Sequence, residues 1–518
     1  MPTSRISWPI SPAWNETGDT VDQQSPSRRR TLQQLVSLTA LGAVNALRAP
    51  KALAADRPAR LAIPGVAGKV IQRADADYEI WRQSMIWHTY KPKRYPDVIV
   101  QAKSTQDVIG AVQYAAQHEL KVAVRSGGHN ASCASLRDGG LLIDLSALDG
   151  IRIDAARKIA SIEPGVRSLE LIQAARAEGL AFPVPHCPSV GMGGFTMGGG
   201  MGWNWPQFGG MAVHSILGAE IVLADGSVRR ATATENPDLY WAVRGVGPGF
   251  FGVVTRLELQ LYPVPKSIMA SSYIFPLADL AMVTETIDRI RASGKADRVE
   301  PIMVLMHHPE VPADAPPEKS KICFFTAFAF EDSEEKTREV LRPFAESALA
   351  GRCLVKMEYQ PFGYEGLYER YFSVNDPAGR CARYAVDNVI TNQPTKTLLA
   401  IADHFRKATT KDCHVLTAYN LRLRDRADAC FSWTADTFVG CYAIWDDEQD
   451  DPRNFEWLRA FLPLIDPFGE GHYVNEVEGR GNPDRYRQCF SAANWQRLEK
   501  LRHQYDPAGV FHSYLGHS

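Results

Sequence analysis

A chain of 518 residues is longer than one hydrophobic core organises, so two or three domains are expected. Its 45 % hydrophobic and 22 % charged residues are ordinary for a globular protein. The net charge of −2 leaves no basic surplus to displace counterions from phosphates, which argues against nucleic acid as a partner, and no apolar run reaches the roughly 18–20 residues of a membrane span, so no stable membrane association is expected.

Residues 1–55 read as a removable leader. Met1 to Pro26 is polar and aperiodic, Arg28-Arg29-Arg30 precedes a weakly apolar stretch from Leu35 to Leu47, and Ala52-Leu53-Ala54 stands before Ala55. An arginine pair, a modest apolar segment and an A-x-A site together predict twin-arginine export, with cleavage near Ala54 and a periplasmic or secreted product.

From Tyr95 onward strands and helices alternate. Residues 98–100 are predicted as a strand, 105–118 as a helix capped by Ser104, and 122–124 as a strand running into glycines. Strands at 141–145 and 159–162 follow, then a helix at 169–178 and a strand at 219–228 that turns through Ala224-Asp225-Gly226 into Arg229-Arg230-Ala231. Beyond Pro265 the pattern changes. Residues 268–275, 302–307, 321–330, 415–422 and 437–444 alternate like antiparallel strands, while 277–293 and 333–349 read as amphipathic helices, with a Pro-rich loop at 308–318. A sheet with helices on one face suits a substrate-shaping domain. After Pro467 a strand around His472–Asn475 and a helix at 495–505, stopped by Asp506-Pro507, are expected. The expected division is 1–55, leader; 65–265, cofactor domain; 266–466, substrate domain; 467–518, a segment completing the cofactor domain.

Two stretches carry the chemistry. Arg125-Ser126-Gly127-Gly128-His129-Asn130 is the first; Cys187-Pro188-Ser189-Val190-Gly191-Met192-Gly193-Gly194, followed by Gly198-Gly199-Gly200-Met201-Gly202, is the second. Glycine at this density lets main-chain N–H groups approach a phosphate or a flat ring, and each stretch sets a nucleophile, His129 or Cys187, beside that bare backbone. This is the build of a tightly held nucleotide cofactor with scope for covalent attachment. The glycines do not open the first βαβ unit as in a Rossmann fold, and there is no G-x-x-x-x-G-K-[ST], so the nucleotide is held another way. Nine scattered cysteines form no C-x-x-C pair and no zinc spacing, so no metal is expected; with Cys187 set aside, the other eight permit disulfides without requiring them.

The succession of these motifs with Tyr95-Pro96-Asp97, Glu163-Pro164-Gly165, Asn236 to Gly245, Gly252-Val253-Val254-Thr255, Tyr473-Val474-Asn475 and Tyr505 to Phe511 closely resembles the berberine-bridge-enzyme-like FAD-linked oxidases of the vanillyl-alcohol-oxidase superfamily. The resemblance runs from Tyr95 to Phe511 and is weakest in the middle. It implies an α+β chain: a two-subdomain PCMH-type FAD-binding domain with an inserted antiparallel-sheet substrate domain. It implies FAD attached twice, by His129 to the 8α-methyl carbon and by Cys187 to C6, in a cradle of Arg125, Ser126, Gly127, Gly128, Asn130, Val190, Gly191, Gly193, Gly194, Gly198, Gly202 and Val253. Tyr473 would be the proton acceptor and Asn475 its partner, with Glu476, His214 and Tyr419 as weaker candidates.

The valine at 190 implies dioxygen as acceptor and H2O2 as product. The implied donor is a small molecule, a sugar or bulky aromatic alcohol, and Trp433, Trp445 and Trp457 are candidate sugar-stacking rings. The same fold accommodates a dehydrogenase passing electrons to a quinone or protein, and a non-catalytic flavin-binding protein is the reading of another class. Departures from the family stand at Ala131 (usually aromatic), Val213-His214-Ser215 (commonly containing Asp), Gly245 to Phe251, and Cys489-Phe490 (usually a tyrosine pair).

Overall fold

The computed structural model describes residues 61–376, 379–421, 428–433 and 435–517. The predicted leader and its cleavage site lie outside these, as does Arg422.

The first sheet has the order Lys69–Gln72, Val98–Gln101, Leu141–Asp144, Val122–Arg125. Its last three strands are parallel, and their near-continuous apolar runs (VIV, LLI, VAV) suit strands covered on both faces. Helix Thr105–Gln117 makes the crossover, and the Ser104 hydroxyl accepts the N–H of Asp107 at its first turn. Phe511 pairs beside Val122 at the sheet edge, so the end of the chain extends this sheet. The second sheet is antiparallel in the order 151–154, 159–162, 253–260, 216–222, 228–232. Val253, singled out in the sequence, opens a strand of this sheet and is buried.

The third sheet has eight strands, in the order 355–361, 267–276, 321–331, 299–307, 414–418, 437–445, 383–391, 469–471. Period-2 geometry sorts its side chains. Met303, Leu305, Phe325, Val415 and Cys441 pack with helices Leu280–Ala292, Glu334–Ala345 and Pro394–Phe405 in one core. Their neighbours Ile302, Val304, Phe324, Leu416 and Tyr442 face a cavity instead. Because both faces are covered, strand Lys321–Glu331 is buried along its whole length. The fold class expected from the sequence is the one observed. None of the nine cysteines, all among the described residues, forms a disulfide.

The expected strand around 472–475 is not a strand. Gly469–Gly471 pairs with the sheet edge, and Val474–Glu476 is a 3-10 turn. The reason is Asn388, whose Oδ1 accepts the Tyr473 N–H (2.8 Å) while its Nδ2 donates to the carbonyls of Tyr473 (3.1 Å) and Glu476 (2.8 Å). The backbone groups a strand would pair are taken by one side chain. Strands Val355–Pro361 and Arg383–Thr391, and helices Tyr364–Asn375, Pro394–Phe405 and Asp451–Arg459, were not apparent in the sequence.

The C-terminal segment is tied to this sheet by a buried ion pair. Arg485, 1 % exposed, donates to Asp387 (2.9 Å), which is fully buried, and to both oxygens of Asp466 and the carbonyl of Asn388. Removing the cation strands a carboxylate in the interior, at a cost of about 3–5 kcal/mol. Arg485→Met should therefore lower the denaturation midpoint by that equivalent; an unchanged urea midpoint would contradict this role.

Candidate functional site

The two glycine loops meet backbone to backbone. A Cβ on Gly191 would stand 2.6 Å from the Gly127 nitrogen, and one on Gly127 would stand 2.8 Å from the Gly191 Cα, closer than real Cβ contacts come. Only glycine at both positions permits the approach. Turn hydrogen bonds hold it: Ser168 N–H to Val190 O (2.9 Å), Leu169 N–H to Pro188 O (3.1 Å) and Gly193 N–H to Pro164 O (3.2 Å). Arg125, at the end of its strand, is fixed by Asp144 (2.9 Å), and Ser126 donates to the Pro164 carbonyl.

The approach brings the two nucleophiles to a single side chain. Ser189 Oγ lies 3.0 Å from His129 Nε2 and 3.3 Å from Cys187 Sγ. Trp87 stacks on the His129 ring, centroids 4.7 Å apart at 24°. Desolvation, with Arg125 and Arg167 nearby, pushes the His129 imidazole down to about 3, so at neutral pH the ring is uncharged and keeps a lone pair.

A cavity of about 340 Å³ runs from Val122–Arg125 and Phe511-His512, past these loops, to the inner face of the eight-stranded sheet. Arg125, Ser126, Gly127, Gly128, His129, Asn130, Cys187, Val190, Gly191, Gly193, Gly194, Tyr473 and Asn475 all line it. Gly198, Gly202 and Val253 do not: Gly198 makes room for the Asn475 amide, and Gly202 lies against the Pro183–Val184 backbone.

Tyr473 is 3 % exposed. Its hydroxyl oxygen receives N–H donors from Gly200 (3.0 Å), Met201 (3.4 Å) and Asn475 Nδ2 (3.1 Å). Burial, with the Glu476 carboxylate nearby, pushes the phenol's pKa up, against the pull of those donors. Asn475 also donates to the Phe195 carbonyl, and Asn130 to the Asn475 carbonyl, joining this turn to both glycine loops.

Glu476 reaches the cavity and accepts from the Tyr442 hydroxyl at 2.6 Å; desolvation raises its pKa. His214 is half-buried, edge-on to Phe431, Tyr419 belongs to the helix-side core with Trp445 and Trp457, and Trp433 packs against the other core, so none of these lines the cavity.

The sequence reading missed several residues here. His186 lines the cavity with Nε2 3.5 Å from the fully buried Glu300, whose other oxygen accepts the Asn204 N–H (2.6 Å). Ser189, Asn388, Trp87, Trp203, Tyr384 and Tyr442 were also passed over. Of these, only Ser189 stood inside a motif already marked.

The residues present fit a flavin dinucleotide. A Cβ at Gly194 would meet nothing within 4 Å, so its absence serves the cavity and not protein packing. Among the described residues, Trp203 Nε1 and His512 Nε2 are buried without a hydrogen-bond partner, and both residues line the cavity. Buried polar atoms of this kind are normally satisfied, and phosphates, hydroxyls and ring carbonyls supply acceptors.

Comparison with known proteins agrees. Residues 96–232 match the FAD binding domain family. The FAD-linked oxidoreductase YgaK of Bacillus subtilis is 31 % identical over 462 residues, covering 86 % of this chain and 96 % of the relative. The structure is similar to 6-hydroxy-D-nicotine oxidase from Arthrobacter nicotinovorans (TM-score 0.75, 24 % identity, 88 % of this chain and 98 % of that one). It is also similar to the BBE-like 1 protein of Physcomitrella patens (TM-score 0.71, 18 % identity, 86 % and 96 %).

Gly194→Leu fills space that the protein leaves open. It should fold and melt like the wild type, yet retain FAD about tenfold more weakly, since added methylenes cost roughly 1–3 kcal/mol where a packed partner must sit. Titration of the flavin-free chain with FAD in the absence of dioxygen, where no covalent link forms, checks this, and wild-type affinity in the variant would contradict the placement.

Proposed function

Because the chain belongs to the FAD-linked oxidoreductases, we propose that it oxidises an apolar alcohol at a doubly attached FAD, held by His129 and Cys187, and delivers the electrons to dioxygen as H2O2. The observation carrying this reading is one cavity that holds both nucleophiles, the Tyr473 hydroxyl and an apolar sheet face. When bound, FAD supplies the hydride acceptor, chemistry that no side chain provides.

The chain's own residues do the rest. Ile302, Val304, Phe324, Phe328, Val386 and Leu416 form the wall opposite the glycine loops. These six side chains exclude water and suit an aromatic or alkyl body; with Thr326, Tyr384 and Tyr442 supplying the polar groups of the same face, a sugar would leave most of its hydroxyls unpaired, so the aromatic alcohol is favoured over the sugar. Tyr473 Oη, as the phenolate that the N–H groups of Gly200, Met201 and Asn475 stabilise, takes the proton of the substrate hydroxyl as the carbon loses hydride. Asn388 keeps the phenol in place by holding the turn on both sides of it. Val190 sits on the cavity wall beside Cys187, and its small side chain leaves room for dioxygen.

Because the Tyr473 phenol is pushed up from its ordinary value near 10, only a small fraction is ionised at neutral pH and that fraction grows about tenfold per pH unit. Peroxide release with an aromatic primary alcohol should therefore climb from pH 7 into the alkaline range and exceed that with a neutral oligosaccharide. In Tyr473→Phe the rate should drop about 10²- to 10⁴-fold and lose its pH slope. Release of H2O2 by the oligosaccharide alone, or a Phe variant with the wild-type profile, would overturn the assignment.

A further inference from the structure

Among the described residues, the Ser189 hydroxyl lies within hydrogen-bond distance of both nucleophiles, at 3.0 Å from His129 Nε2 and 3.3 Å from Cys187 Sγ. It does not wander. The turn carrying it is closed by the Val190 N–H on the Cys187 carbonyl and tied to helix Ser168–Ala177 through Pro188 and Val190, while Trp87 fixes the plane of the His129 ring. A hydroxyl has one donor and two acceptor lone pairs, so it can accept from Nε2–H and donate to sulfur at the same time. That arrangement suits attack by both nucleophiles. The proton on Nε2 leaves the lone pair on Nδ1, in a ring that desolvation keeps uncharged, and the O–H···S contact favours thiolate, the form of cysteine that attacks.

We infer that Ser189 is a positioning residue shared by both attachment steps, ordering His129 and Cys187 for reaction with FAD; this rests on the double-attachment reading above. The steps balance in the same way. At His129 an N–H and an 8α C–H are replaced by an N–C bond; at Cys187 an S–H and the C6–H are replaced by an S–C bond. In each case two protons and two electrons leave, and dioxygen is the oxidant that carries them off as one H2O2 per link. Neither step runs without dioxygen, and Ser189 itself is unchanged at the end.

The test needs only FAD. The full chain, produced under riboflavin limitation, is mixed with FAD in aerated buffer and quenched at intervals, and flavin on the His129 and Cys187 peptides is followed by fluorescence and mass. Ser189→Ala should slow both attachments about tenfold, the equivalent of one hydrogen bond. Ser189→Thr, which keeps the hydroxyl, should stay close to the wild type. If Ser189→Ala misfolds, Ser189→Val against Ser189→Thr makes the same comparison with matched shapes. Wild-type rates at both peptides without the hydroxyl, or slowing of only one, would overturn the inference. A wild type in which neither peptide gains flavin would overturn the double-attachment reading itself, and with it this role.

Discussion

The contact between Gly127 and Gly191 constrains everything that follows, because two loops from different sheets can serve one cofactor only if their backbones touch. A single methyl group on either residue would push them apart. With the loops together, His129 and Cys187, 58 positions apart in the chain, come to share a hydroxyl, and the N–H groups and bare backbone around Gly194 open onto one cavity. The nucleophiles need no charged partner to place them; backbone proximity and one stacked indole are enough.

The opposite wall follows from a different regularity. A strand exposes alternate side chains to alternate faces, and the eight-stranded sheet spends one face on its helices and the other on the cavity. The apolar side chains of that face offer no proton acceptor, and Tyr473, proposed above as the acceptor, comes from the C-terminal segment. That import requires buried polar anchors in an otherwise apolar strand: Asn388 holds the Tyr473 turn, and Asp387 with Arg485 holds the segment that follows. The polar pair in the middle of strand Arg383–Thr391 thus links the packing of the sheet to the position of the Tyr473 phenol.

These same residues show where sequence reading reaches and where it stops. The glycine motifs, the Ser104 cap and the strand–helix alternation up to Pro265 were legible because each is a local signal with a local cause. The strand Arg383–Thr391 was not, since Asp387-Asn388 interrupts its apolar run for partners about a hundred positions away. The turn at Tyr473 was read as a strand because its apolar and aromatic residues suggest one, while the side chain that prevents pairing lies in another element. Trp87, His186, Tyr384 and Tyr442 carry no motif, and only the fold brings them to the cavity. Tyr419, Trp445 and Trp457 were marked for the substrate side and lie on the helix side; for Trp445, at the end of strand Thr437–Trp445, a one-residue difference in register is enough to decide the face, whereas Trp457 stands on helix Asp451–Arg459.

The central claim is that backbone contact between the two loops, and not any one side chain, builds the cofactor site. The most direct measurement is the flavin content of Gly191→Ala, from visible absorbance per chain, alongside its far-ultraviolet circular dichroism. The account predicts a folded chain that has lost most of its FAD, because the added methyl sits 2.6 Å from the Gly127 nitrogen and separates the loops. A folded Gly191→Ala protein with the full wild-type complement of FAD would contradict it.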